Sequence, residues 1–229
     1  MRSVALALHW SRQQESSILK KCDFPKLYAI TDSRLMPAEQ LQLKVEAALK
    51  GGCRLIQYRD KSANPAKRIV EAGQLLRLCK RYNALLIIND DIDLTLSVKA
   101  DGVHLGQGDA GISEARQRLG RGAIIGITCH DNLALAQEAE TAGADYVAFG
   151  RFFNSNTKPD ANAAPLKLVQ TARSQINVPI VVIGGICRDN AQQLIANGCD
   201  SIAISHGLFA ADDIAAEAKH LLTLFPAHN

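Results

Sequence analysis

Short apolar runs rich in β-branched residues recur from Leu27 onward, separated by longer stretches of helical period. The runs predict strands at 27–31, 55–59, 85–89, 102–106, 124–128, 146–150, 180–184 and 201–205. Between them the pattern predicts helices that include 39–50, 65–82, 133–142 and 190–196, with a last one at 212–224. Helix punctuation agrees: Pro65 stands at a helix start, and Gly51, Gly120, Gly143 and Gly198 stand just past helix ends. Strict alternation of this kind predicts an α/β protein, a single-domain (β/α)8 TIM barrel, with an open doubly wound sheet as the alternative. Three similar corners favour the ring: Ala-Asp-Gly-Val-His from Ala100, Gly-Ala-Asp-Tyr-Val from Gly143 and Gly-Cys-Asp-Ser-Ile from Gly198. Each joins a helix end to a strand and reads as architecture, with the acid opening the turn.

Composition narrows the class of protein. With 229 residues, 47% of them hydrophobic, the chain can bury one sizeable core. Residues 27–229 read as that barrel domain and residues 1–26 as an appended arm, helical or flexible. The apolar stretch at 4–8 is short, His9 and Trp10 interrupt it, and no small-residue cleavage pattern follows, so it does not read as a signal peptide. No apolar stretch reaches the length of a membrane span. A net charge of only +3, with no basic run, gives no footing for nucleic acid or a membrane surface. Cys22, Cys53, Cys79, Cys129, Cys187 and Cys199 are scattered without Cys-x-x-Cys spacing, which predicts reduced thiols and a cytoplasmic setting. Cys129 reads as a small buried filler. A homo-oligomer stays open.

The chemistry gathers where the strands end. In a parallel α/β protein, residues just past strand C-termini line the active-site face. Asn89-Asp90-Asp91 and His104-Leu105-Gly106-Gln107-Gly108-Asp109 each follow a strand-like run, on neighbouring strands. Asp90 and Asp109 can share a magnesium ion that takes its other oxygens from water and phosphate, and Asn89 can hydrogen-bond a heterocycle or a phosphate. Alternatively Asp90 or Asp91 caps the next helix, Asp109 caps a turn, and Asp93 is a first-turn helix acid. His104, inside the strand pattern and without a partner at ligand spacing, reads as an internally hydrogen-bonded histidine rather than a zinc ligand.

Phosphate-type groups stand on the same face. In Gln57-Tyr58-Arg59-Asp60-Lys61, alternation puts Gln57 and Arg59 on one side, with Lys61 just beyond the strand. Arg59 can grip phosphate oxygens bidentately and Lys61 can act as a point charge. Further on come Thr128-Cys129-His130 and a polar loop holding Ser155, Asn156, Thr157 and Lys158, a phosphate clamp or lid. Ile183-Gly184-Gly185-Ile186 and Ile204-Ser205-His206-Gly207 end the last two strands, where barrels often bind phosphate through backbone N–H groups. The set predicts two phosphate sites, filled by two phosphorylated substrates of which one carries a diphosphate. Charge stabilisation and positioning then do most of the work, with no protein nucleophile.

Taken together these residues resemble the thiamine phosphate synthase family, over Leu27 to Leu224. The family pattern Gln-x-Arg-x-Lys, Asn-Asp, His-Leu-Gly-Gln-x-Asp, a Thr-x-Thr-Lys loop and Gly-Gly-Ile runs here in order. The resemblance implies a (β/α)8 transferase that joins a hydroxymethylpyrimidine diphosphate to a thiazole phosphate. Pyrophosphate leaves first, and the thiazole nitrogen captures a pyrimidinylmethyl cation. By matching position, Gln57, Arg59, Lys61, Asn89, Thr128 and Lys158 would hold the pyrimidine diphosphate, with Tyr58 and Asp60 in the same segment. Arg59, Lys61 and Lys158 would stabilise the leaving group, and Asp90 and Asp109 would hold magnesium. Ser155, Asn156, Thr157, Gly185, Ser205 and His206 would hold the thiazole phosphate. The chain departs from the pattern at Ser155 and Thr128, which exchange one hydroxyl residue for another, at Ser205-His206 where Ile-Ser is usual, and in the segment 151–154. A thiazole tautomerase of the same superfamily, with His130 as its catalytic group, and a catalytically silent regulatory relative are the alternatives.

Overall fold

The structure, a computed structural model, describes residues 21–153 and 164–226. Eight parallel strands close into a barrel: β1 (Leu27–Ile30), β2 (Leu55–Tyr58), β3 (Leu85–Asn89), β4 (Gly102–Leu105), β5 (Ile124–His130), β6 (Tyr146–Phe149), β7 (Ile180–Ile183) and β8 (Ser201–Ile204). Each pairs with the next in sequence, and β1 also pairs with β8, with Tyr28 opposite Leu55 on one side and Ala203 on the other. The ring leaves no strand edge unpaired. The open-sheet alternative is therefore overturned by the β1–β8 pairing.

Helices alternate with the strands: α1 (Ala38–Lys50), α2 (Pro65–Arg81), α3 (Ile92–Val98), α4 (Ile112–Leu119), α5 (Leu133–Thr141), α6 (Lys167–Gln175), α7 (Ala191–Ala196), α8 (His206–Phe209) and α9 (Ile214–Thr223). Several of these starts are fixed by side chains that accept orphan N–H groups. Asn64 receives the N–H of Lys67 at 3.0 Å ahead of Pro65, Asp91 that of Leu94 at 2.8 Å, and Asp213 that of Ala216 at 2.9 Å. Two details differ from the sequence reading. β5 runs two residues beyond Thr128, through an irregularity between Thr128 and His130. The four-residue α8 follows β8 directly, too short for a periodic signal.

Alternation along the strands divides the core into two layers. Outward residues such as Ile56, Leu86, Val103, Ile125, Val147 and Val182 pack against the apolar stripes of the helices. Inward residues Tyr28, Ile30, Leu55, Ile87, Tyr146, Ala148, Val181 and Ala203 fill the barrel, and Phe24, just ahead of β1, joins them with its ring 5.3 Å from that of Tyr146. Small residues make this filling fit. A Cβ on Gly126 would lie 1.9 Å from the Tyr146 ring, so the tyrosine lies across β5 only because that position is bare.

The repeated acidic corners prove to be clamps at the floor. Asp101, ahead of β4, accepts the N–H of Leu86 in β3 at 2.8 Å. Asp145, ahead of β6, accepts that of Ile125 in β5 at 2.7 Å, and Asp200, ahead of β8, that of Ile180 in β7 at 2.8 Å. Each acid thus ties its own strand to the preceding one, satisfying a backbone donor at the start of the ladder. Arg116 and Arg173 close on Asp145 and Asp200 from outside, at 2.7 and 2.9 Å. Stability is concentrated on this face, which leaves the opposite rim to the chemistry. Among the described residues, no helix is long and apolar enough to cross a membrane.

Candidate active site

The first wall of the barrel mouth is built by β2. Alternation turns Gln57 inward, where it lines a central cavity of about 470 Å³. Tyr58 turns outward instead, into the outer layer, donating its hydroxyl to Glu71 of α2 at 2.7 Å and lying 3.4 Å from Asp60. Arg59 returns to the inner side, its N–H held by the Thr31 hydroxyl at 2.8 Å and its side chain on the cavity. Asp60 is buried, receiving Ser62 through its N–H at 2.8 Å and its hydroxyl at 2.9 Å, and pairing with Lys67, which also reaches Glu71 at 3.2 Å. Burial pushes the Asp60 carboxyl upward, but Lys67 and Ser62 outweigh it and hold the group below the usual carboxylate range. This cluster fastens the loop that carries Lys61. Gln57, Arg59 and Lys61 therefore face open space, and Asp60, though bonded within its own loop, borders the same cavity as Lys61, whereas Tyr58 lines neither cavity.

The second wall comes from β3 and β4. Asp90 takes a left-handed backbone, φ 63°, with its N–H on the carbonyl of His104 at 2.8 Å. That turn aims Asp90 at Lys61, with which it pairs, while Asp91 is the residue spent on capping α3. Asp109 folds back to accept the N–H of Gly106 at 2.6 Å and meets Asp90. Burial pushes both acids upward. At Asp90 the Lys61 ammonium more than offsets it and keeps the carboxyl ionised, while at Asp109 the facing Asp90 charge adds to it and raises the pKa. Two carboxylates forced together beside an ammonium form a hard-oxygen donor set suited to magnesium. Among the described residues no three His, Cys, Asp or Glu side chains group for a metal, so an ion at this place would rest on these two carboxylates, with its other positions open to water and ligand oxygens. The pair lines a second cavity of about 450 Å³, together with Lys61, Arg68 and Arg118. Asn89 lines both cavities and so stands where they adjoin.

The far wall belongs to β6, β7 and β8. Gly184 has φ 107°, and a Cβ there would lie 2.3 Å from that of Arg151. Its bareness lets the segment after β6 run alongside, Phe152 and Phe153 donating their N–H groups to the carbonyls of Ile183 and Gly184 at 3.3 and 3.0 Å. Gly185, Ser205 and His206 border the central cavity here. The Ser205 hydroxyl is buried without a hydrogen-bond partner among the described residues, a polar atom on the same cavity as the two glycines. Ser155, Asn156, Thr157 and Lys158 fall outside the described residues.

One feature escaped the sequence reading. A hydrogen-bonded chain crosses the barrel beneath the cavity: Gln57 Nε2 to Tyr28 Oη at 2.8 Å, Tyr28 Oη to Tyr146 Oη at 2.9 Å, Tyr146 Oη to His104 Nδ1 at 2.9 Å, and His104 Nε2 to Thr128 Oγ1 at 2.9 Å. His104 is thus internally bonded as expected, and its burial draws its pKa down to about 4. Burial likewise raises both phenols well above their ordinary value. The only hint in the sequence was that Tyr28 and Tyr146 occupy inward strand positions. Cys129, fully buried with its thiol pushed up to about 12 by desolvation, is the inert filler expected. His130 reaches the central cavity from the end of β5.

Comparison with known proteins agrees with this arrangement. The family described as thiamine monophosphate synthase matches residues 27–208. The thiamine-phosphate synthase of Alcanivorax borkumensis is 52% identical over 202 residues, 87% of this chain and 93% of that protein. That of Thioalkalivibrio sulfidiphilus is 52% identical over 199 residues, covering 87% and 94%. Among solved structures, thiamine phosphate pyrophosphorylase from Pyrococcus furiosus superposes with a TM-score of 0.79 at 35% identity, over 87% of this chain and 94% of that one.

Proposed function

Because the chain belongs to the thiamine monophosphate synthase family, we propose that its two-sided barrel mouth joins a pyrimidine diphosphate to a thiazole phosphate and releases pyrophosphate. The activity is that of a transferase, thiamine phosphate synthesis, and 52% identity to synthases favours it over the tautomerase and regulatory alternatives. The observation that carries the division of labour is the contrast between the walls. One presents Arg59, Lys61 and the Asp90–Asp109 pair, and the other a partnerless buried hydroxyl beside Gly184 and Gly185.

On the charged side of the mouth, Gln57, Asn89 and Thr128 hold the heterocycle, while Arg59 and Lys61 take diphosphate oxygens, joined by Lys158 on the family pattern. Asp90 and Asp109 would hold magnesium, which would supply charge neutralisation to a diphosphate leaving group. Arg59 and Lys61 do the same from the protein side, so cleavage of the carbon–oxygen bond needs no attacking residue. Ser205, Gly185 and His206, with Ser155, Asn156 and Thr157 on the family pattern, fix the thiazole phosphate. Its ring nitrogen then faces the electrophilic methylene and forms the new bond. The thiols fit a reducing, cytoplasmic setting: Cys53, Cys79, Cys129 and Cys199 are buried and free.

Asp109→Asn tests the magnesium assignment. The amide keeps an acceptor for the Gly106 N–H and removes a like charge from Asp90, so stability should hold within about 0.5 kcal/mol. Turnover should fall by about a hundredfold or more. Undiminished turnover at saturating magnesium would remove Asp109 from the site.

A further inference from the structure

We propose that Tyr28, Tyr146 and His104 are positioning residues that act as one unit, fixing Gln57 as an acceptor and Thr128 as a donor toward the reacting heterocycle. The inference rests on the assignment of Gln57 and Thr128 to the pyrimidine wall and deepens it. Donor counting gives the direction. Gln57 Nε2 can only donate, so Tyr28 Oη accepts from it and spends its single hydrogen on Tyr146 Oη. Tyr146 in turn spends its hydrogen on His104 Nδ1. A neutral imidazole with Nδ1 accepting must carry its proton on Nε2, which donates to Thr128 Oγ1. What remains at the two ends points at the central cavity: the Gln57 carbonyl oxygen and the Thr128 hydroxyl hydrogen.

Every link depends on the others. Turning the Gln57 amide over would require both phenols and the histidine tautomer to reverse together, since each phenol has a single hydrogen. Burial supports a neutral chain. Tyr28 and Tyr146 are 1% and 0% exposed, and His104, 8% exposed, stacks on the Tyr146 ring at 5.5 Å. The geometry is held by packing as well, because the bare Gly126 seats the Tyr146 ring. Acceptor at Gln57 and donor at Thr128 select a heterocycle that offers an amino group beside a ring nitrogen. An oxo analogue would offer an acceptor where Gln57 already presents one, and an unpaired buried acceptor discriminates strongly.

Two measurements test this. In the unmodified protein, nitrogen-15 NMR of the histidine rings at pH 7 should show His104 as the neutral tautomer protonated at Nε2. Protonation at Nδ1, or at both nitrogens, overturns the proposal whatever the enzyme turns over. Kinetically, Tyr146→Phe keeps the ring and cuts the chain. It should raise KM for the aminopyrimidine diphosphate about tenfold, leave KM for the thiazole phosphate unchanged, and narrow the preference over the 4-oxo analogue. Tyr28→Phe should do the same, and the double variant should be no worse than either single one. Equal rises in both KM values, or additive losses in the double variant, would mean that the tyrosines only support the fold. Absence of turnover in the unmodified protein would refute the synthase reading and leave the tautomer result to stand alone.

Discussion

Single residues at the mouth carry separable duties. His104 is neutral because it is buried, and that has a consequence for stability. Its folded pKa, about 4, lies below the ordinary 6.5, so the unfolded chain takes up the proton first. Stability from this group is full above pH 6.5, declines as pH falls toward 4, and falls no further below that. The loss is about 3 kcal/mol. Urea unfolding at pH 7 and pH 4 should show the native protein losing about that much more than His104→Gln; parallel losses would contradict it. Ser205 offers a complementary test on the other wall. Its hydroxyl has no partner among the described residues, so Ser205→Ala should raise KM for the thiazole phosphate about tenfold and leave KM for the pyrimidine diphosphate unchanged. Steady-state kinetics with each substrate varied in turn would decide.

Strands, helices and corners show what a sequence can and cannot announce. The eight strands were legible to within a residue or two because buried parallel strands are written as near-continuous apolar runs. Lys61, Asp90 and Asp109 were legible as candidates because a charge just past such a run has to stand at the barrel rim. Tyr58 follows the same logic in the opposite sense: with Gln57 and Arg59 inward, alternation sends it to α2. The chain through Tyr28 and Tyr146 was not legible, because its partners lie 118 residues apart and meet only when the ring closes. Helix α8 was invisible at four residues, and the turn after α1 is taken by Gly52, at φ 102°, rather than by Gly51. The floor clamps were visible as a repeat, but their bond to the preceding strand was not. Asp200→Ala removes the acceptor of the Ile180 N–H and should cost about 2 kcal/mol, while turnover per folded molecule stays unchanged. Denaturant midpoints beside active-site titration would check both halves, and a loss of turnover without a loss of stability would contradict the separation.

At the scale of the molecule, the barrel separates holding from reacting. The acidic clamps and the closed ladder lie toward the strand starts, and the strand ends carry loops whose conformations depart from regular structure at Asp90, His130, Gly184 and Gly185. Across the mouth, a wall carrying Arg59, Lys61, Asp90 and Asp109 stands apart from one carrying Gly184, Gly185 and the Ser205 hydroxyl, and the proposed function assigns the leaving diphosphate to the first and the phosphate that stays to the second. The central claim is that these walls act together in one condensation assisted by magnesium. The most direct test supplies the purified protein with hydroxymethylpyrimidine diphosphate, thiazole phosphate and magnesium, and follows thiamine phosphate and pyrophosphate with and without a chelator. The account predicts equimolar appearance of both products, abolished by the chelator and restored by added magnesium. No product from folded protein, or the same rate with the chelator present, would contradict it.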